Sequence, residues 1–134
     1  MKTKKLDQHN MSLIVASGLA RRLRNRFTVA RIEAHAVKKR RMNIRIGSKV
    51  VDFEAMIIVK ERPSETSKGN RNVEFYFANN DSRVFISSKV HTDSRLLPSA
   101  GCPNMQADLH DPSSLDTIYT MMEKAVLNYV LPEL

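Results

Sequence analysis

The sequence predicts an α+β domain: an N-terminal helix, an antiparallel meander sheet of four to five strands, and a C-terminal amphipathic helix packed on one sheet face. Near both ends of the chain, apolar residues recur at steps of three and four, which is the spacing of a helix. Between them, apolar and polar residues alternate in several short segments, which is the spacing of strands. The 134 residues suffice to bury one core without metals or disulfides. We therefore expect a single domain over residues 1–134.

The first predicted helix starts near Asp7, after a loose basic arm at residues 1–6. The arginines within residues 21–26 fall largely off its apolar face, and cations in a last turn also suit the helix dipole. Residues 27–37 combine β-branched side chains with helical spacing, so we favour a strand and keep a continued helix as the alternative. The apolar face of the helix consists of Leu13, Ala16, Leu19, Ala20, Leu23 and Phe27.

The strand predictions rest on alternation. Residues 42–46 alternate apolar and polar side chains, after which Gly47 and Ser48 can turn the chain. Residues 72–78 and 83–90 alternate in the same way and are separated by a turn-forming stretch, which favours a tight hairpin. Between residues 46 and 72 we predict one continuous strand over residues 49–61. One face of this strand is formed by Val51, Phe53, Ala55, Ile57 and Val59.

Residues 91–112 have no clear period and contain prolines and a glycine, so we predict a long irregular loop. The last helix is signalled by Pro112 and Ser113, with Asp116 in the position of a capping-box acid. Its apolar stripe exceeds a third of the helix circumference. The apolar surface that exceeds what one sheet face can cover predicts either a homodimer through this helix or packing of the N-terminal helix against it. The stripe comprises Leu115, Ile118, Tyr119, Met121, Met122, Val126, Leu127, Tyr129, Val130 and Leu131.

Charge is distributed unevenly along the chain. The net charge is +8, but residues 21–49 hold eleven cations and one acid, whereas residues 91–134 hold two cations and six acids. A basic surface of this density favours nucleic acid as the partner, with the acidic C-terminal part facing away or serving another partner. The predicted phosphate-contacting residues are Arg21, Arg22, Arg24, Arg26, Arg31, Lys38, Lys39, Arg40, Arg41 and Arg45, with Asn43 between the last two.

Two further hypotheses concern side chains of the predicted sheet. Tyr76 and Phe85 fall on the faces opposite to the apolar residues of their strands, which makes them candidates for an exposed pair that stacks bases. Asp52, Glu54 and Glu74 lie on polar strand faces and, with Lys60 or Lys89, resemble the donors of a metal-dependent nuclease. Alternating charges on a wet face produce such groupings by chance, so the nuclease is the weaker alternative.

The remaining composition limits the functional classes. No complete catalytic or cofactor motif is present, four glycines give no phosphate loop, and the histidines lack metal-ligand spacing. The single Cys102 fits a reducing compartment, and no apolar run reaches the ~18–20 residues of a membrane span, which predicts a cytoplasmic protein without cofactors. We therefore predict a small structural or regulatory DNA- or RNA-binding protein that is not an enzyme. The alternative is a protein-interaction module, such as an accessory or virus-encoded factor that docks on an acidic protein.

Overall fold

A computed structural model describes residues 2–37, 43–46, 48–63, 71–80, 83–91, 96–98, 105–108 and 110–131. Within these residues the chain forms, in order, α1 (Lys2–Arg26), β1 (Ala30–Ala36), β2 (Asn43–Ile46), β3 (Lys49–Asp52), β4 (Ala55–Glu61), β5 (Asn72–Asn80), β6 (Arg83–His91), β7 (Leu96–Pro98), β8 (Met105–Asp108) and α2 (Pro112–Tyr129).

The main sheet is antiparallel and open. Its strands follow the order β1-β4-β5-β6-β7, and β8 also pairs with β6, at the opposite end of that strand from β7. The strands β4, β5 and β6 form the predicted meander, while β1 pairs with β4 across an excursion of the chain. That excursion is a separate two-stranded antiparallel sheet made of β2 and β3. The α+β fold with a helix at each end is thus confirmed.

One hydrophobic core joins both helices with alternate residues of the sheet. Apolar side chains at every second position of β4, β5 and β6 are fully buried, because a strand turns successive residues to opposite faces. The largest of these side chains include Phe75, Phe77 and Ile57, and they share a core cluster with Leu23 of α1 and Met122 of α2. We call this the inner face of the sheet, and the opposite one the outer face.

The wide apolar stripe of α2 packs against other residues of the same chain. Ile118, Met122, Ala125 and Val126 are buried, and the half-buried side chains at its margins pack against the same core. Homodimerisation through this helix stays a prediction. The half-buried members of the stripe are Leu115, Tyr119, Met121, Leu127 and Tyr129.

On the N-terminal side the structure corrects one predicted boundary and decides one open alternative. Helix α1 begins at Lys2 instead of Asp7, so residues 2–6 are helical where a loose arm was expected. Residues 30–36 form β1, which decides between the two interpretations of residues 27–37 in favour of the strand.

The predicted continuous strand over residues 49–61 is wrong. It is divided into β3 and β4, and Phe53 and Glu54 lie between them. Phe53 packs against Tyr76 in a small second cluster on the outer face, whereas Ala55 and Ile57 belong to the main core. The chain therefore changes layers between residues 52 and 55. A strict alternation of apolar residues does not reveal this, because both layers take apolar side chains.

The C-terminal third is more regular than predicted. The expected irregular loop over residues 91–112 contains the strands β7 and β8, which pair with opposite ends of β6. Helix α2 is capped by Asp111, whose carboxylate accepts the backbone N–H of Ser113 at 3.1 Å. The hydroxyl and the backbone N–H of Ser113 lower the pKa of Asp111. The cap is therefore Asp111, and not the predicted pair of Ser113 and Asp116.

Neither helix has, within the described part of the chain, the combination of length and apolar character that a membrane span requires.

Candidate nucleic-acid interface

Part of the predicted phosphate-binding set is engaged inside the molecule. Arg22 of α1 donates to Asp116 of α2 with 2.9 Å between Nη1 and Oδ1, and its guanidinium lies 4.1 Å from the centroid of the Tyr119 ring. Tyr119 donates its hydroxyl to the backbone carbonyl of Arg22 at 3.3 Å. Burial and the neighbouring Glu123 raise the pKa of the Tyr119 hydroxyl. Arg22 thus links α1 to α2.

Arg26 repeats this arrangement one helical turn later. Its Nε lies 3.7 Å from a carboxylate oxygen of Glu123, and its guanidinium lies 4.9 Å from the centroid of the Phe27 ring. The expectation that the acidic C-terminal part faces away is therefore wrong for these two acids. Asp116 and Glu123 are seven positions apart on α2, about two helical turns, so both face α1.

Arg24 and Arg31 also have local partners. The Nε of Arg24 donates to the backbone carbonyl of Ile32 at 3.0 Å, across the open edge of β1. The Nε of Arg31 donates to Glu33 at 2.6 Å, and His35 contacts the other oxygen of that carboxylate at 3.0 Å. The hydrogen bond and charge of Arg31, followed by the contact of His35, lower the pKa of Glu33. Arg21 is exposed on α1.

The two-stranded sheet, which we call the ribbon, carries two further members of the predicted set. Asn43 and Arg45 lie on β2, and the side chain of Arg45 is exposed together with Lys49 and Val50 of β3. The cations Lys38, Lys39, Arg40 and Arg41 lie outside the described residues, in the segment that leads directly into β2. The ribbon is joined to the main sheet by Phe53, whose ring centroid lies 5.7 Å from that of Tyr76.

The expectation that Tyr76 is exposed is wrong. Only 6% of its surface is accessible, because Phe53 and its neighbours cover the outer face at this end of the sheet. Its hydroxyl donates to Glu74 at 2.5 Å, and burial together with this hydrogen bond raises the pKa of Tyr76. Phe85 is half-buried against the same cluster, so base stacking on its remaining free surface stays a prediction.

Three carboxylates proposed for a nuclease are not brought together. Asp52 ends β3 in the ribbon, Glu54 lies in the connection to β4, and Glu74 is in the middle of β5. The described residues contain no group of three histidine, cysteine or acidic side chains arranged to hold a metal. The carboxylates on which the nuclease hypothesis depends therefore do not form one metal site.

The outer face of the main sheet is polar beyond the Tyr76 cluster. The register places Arg31, Lys60, Asn72 and His91 in one row across four strands. The next row along the strands consists of Glu33, Ile58, Glu74 and Lys89. A depression of about 310 Å³ lies over the first three members of both rows.

Sequence reasoning missed this depression. The alternation of residues in β4 and β5 indicated which side chains leave the core, but only the strand register shows that Arg31 and Lys60 stand side by side. Strand order is a property of the whole chain, and the β2–β3 excursion between β1 and β4 hides their pairing from any local pattern.

Comparison of the chain with protein-family models, with curated proteins and with solved structures gives no match.

Proposed function

We propose that the protein binds nucleic acid without catalysis and that the ribbon, with the basic segment leading into it, contacts backbone phosphates. The observation that carries the proposal is the ribbon itself. It is a sheet separate from the main one, its described Arg45 is exposed, and four consecutive cations precede it. Cations on one accessible surface bind phosphates because each contact releases condensed counterions.

The internal ion pairs of α1 support this choice of surface. Arg22 and Arg26 already face carboxylates of α2, so binding a phosphate there requires exchange of an existing partner. In contrast, the ribbon and the segment that leads into it (residues 38–52) contain six cations and one acid, Asp52. This excess makes the ribbon the more strongly attractive surface for a polyanion.

The proposal is tested by measuring binding of fluorescent single-stranded DNA, duplex DNA and RNA at two salt concentrations. We expect binding at low salt that weakens steeply when salt is raised. Charge reversal at Arg45 (Arg45→Glu) is expected to weaken binding about tenfold or more. Lys124→Glu is the matched control, because it removes one exposed cation from α2 and introduces the same acid.

Two results would contradict the proposed role of the ribbon. If none of the three polymers binds at low salt, the proposal is wrong, and an acidic protein becomes the partner to seek for the ribbon. If Arg45→Glu and Lys124→Glu weaken binding equally, net charge alone attracts the polymer and the ribbon has no special part.

A further inference from the structure

The depression on the outer face is lined mainly by charged and polar side chains. Its walls carry two cations and two acids, Arg31, Lys60, Glu33 and Glu74, while Ile58 is half-buried between the acids. A volume of about 310 Å³ lies at the lower end of the range of small-molecule pockets, which is about 300–1,000 Å³. It therefore suits a ligand of the size of one nucleotide unit.

Two polar atoms beside the depression lack hydrogen-bond partners among the described residues. These are Oδ1 of Asn72 and Nε2 of His91, and the two residues face each other across β5 and β6. Nε2 of His91 lies 3.4 Å from Glu74, but without the geometry of a hydrogen bond. Both atoms are buried, so a ligand that enters from the open side of the depression does not contact them.

The charges are separated along the strands. The row that contains Arg31 and Lys60 is cationic, and the next row, about 6.8 Å away for two residues of an antiparallel strand, contains Glu33 and Glu74. Lys60 is exposed and makes no ion pair with any residue that the structure describes. Glu33, in contrast, already accepts Arg31 and His35. The depression thus offers an anion site at Lys60 and a hydrogen-bond acceptor at the carboxylate of Glu74, one oxygen of which already accepts the Tyr76 hydroxyl.

We propose that this depression binds one nucleotide of a single-stranded nucleic acid, a proposal that rests on the proposed function. Lys60 binds the phosphate. The base lies over the apolar Ile58 and donates its exocyclic amino group to Glu74. Base edges are free for such contacts in single strands and are already paired in a duplex. The ribbon then binds the flanking phosphates, and the depression selects single strands.

The carboxylate of Glu74 predicts which bases bind. Cytosine carries an amino group where uracil carries a carbonyl oxygen, and these bases are otherwise nearly identical in shape. A carbonyl facing the carboxylate of Glu74 would set two acceptors against each other. Cytidine monophosphate should therefore bind several-fold more tightly than uridine monophosphate.

The test is titration of the full chain with cytidine and uridine 5′-monophosphate, followed by backbone amide NMR shifts and the fitted dissociation constants. We expect shifts at Ile58, Lys60 and Glu74, and weaker binding of both ligands, by about tenfold, in Lys60→Ala. Glu74→Gln can donate to the uracil oxygen, so it should reduce or invert the preference for cytidine. Lys124→Ala is the control and should bind as the unsubstituted chain does.

The outcomes separate this inference from the proposed function. If oligonucleotides bind while the monophosphates leave the depression unshifted, the depression proposal is wrong and the ribbon proposal stands. If the monophosphates shift the depression but no oligonucleotide binds, the site is a nucleotide site and nucleic-acid binding is wrong. Equal affinity for both monophosphates would overturn the assigned role of Glu74. Amide spectra of each variant establish that it is folded.

Discussion

At the scale of single residues, the clearest stability determinant is the pair formed by Glu61 and Arg71. Glu61 is 5% exposed, and Arg71 donates to it from Nη2 at 2.7 Å and from its backbone N–H at 3.2 Å. A buried carboxylate is tolerated when it is paired, and it is costly when its partner is removed. The pair fixes the end of β4 to the start of β5.

Arg71→Met is expected to lower the free energy of unfolding by about 3 kcal/mol, because it removes the Arg71 guanidinium from the buried carboxylate of Glu61. The measurement is urea denaturation at neutral pH. The double variant Glu61→Gln/Arg71→Met is the control and should lose less, since a neutral amide replaces the charge. Equal losses in both variants would show that the charge of Glu61 is not the cause.

A substitution at Gly18 in α1 is expected to stabilise the protein. A methyl group at this position would meet no atom within 4 Å, and glycine in a helix interior costs about 1 kcal/mol relative to alanine. Gly18→Ala should therefore raise the free energy of unfolding by about 0.5–1 kcal/mol. Ser17→Gly, at the adjacent exposed position, should lower it. A loss of stability in Gly18→Ala, measured by urea denaturation, would contradict the open surroundings described for this glycine.

At the scale of elements, α1 contributes a buried stripe to the common core. Leu23 is fully buried, whereas Ile14 on the same helix is 57% exposed. Leu23→Ala should lower the free energy of unfolding by about 3 kcal/mol, through lost burial and the cavity left behind. Ile14→Ala is the matched control and should change it by less than about 0.5 kcal/mol. Similar losses in both variants, measured by urea denaturation, would contradict the assigned orientation of α1.

Elements that depend on local patterns were predicted from the sequence, whereas elements that depend on distant parts of the chain were missed. The helices and the β5–β6 hairpin have local periodic patterns, so their type was predictable from the sequence. Strands β7 and β8 are only three and four residues long. They are stabilised by the ladder that β6 supplies, which a local pattern does not contain. The layer change at Phe53 was missed for the same reason: its partner Tyr76 is distant in sequence.

The candidate site shows the same division. The basic segment and the strand alternation of Arg45 were visible in the sequence. The pairing of Arg22 with Asp116 joins residues 94 positions apart, so the sequence alone did not reveal that this arginine is already engaged. The depression depends on the order of β1, β4 and β5, which is another long-range property.

At the scale of the whole molecule, the charge asymmetry has two consequences. The acidic C-terminal helix partly neutralises the basic N-terminal helix, which stabilises their contact at Arg22 and Arg26. Pairs as exposed as these contribute little individually. The remaining excess of the +8 chain is densest at the ribbon and the segment before it. The central claim of our account is that this region contacts phosphates.

The most direct test is the salt dependence of the association constant for a single-stranded oligonucleotide. For the unsubstituted chain, the plot of log K against log salt should fall by about 0.7 per phosphate contacted. The triple variant Lys39→Ala/Arg40→Ala/Arg41→Ala should flatten this slope by about 2. The control Arg62→Ala/Arg83→Ala/Lys124→Ala removes the same charge elsewhere and should leave the slope nearly unchanged. Equal slopes for the two triple variants would contradict the claim.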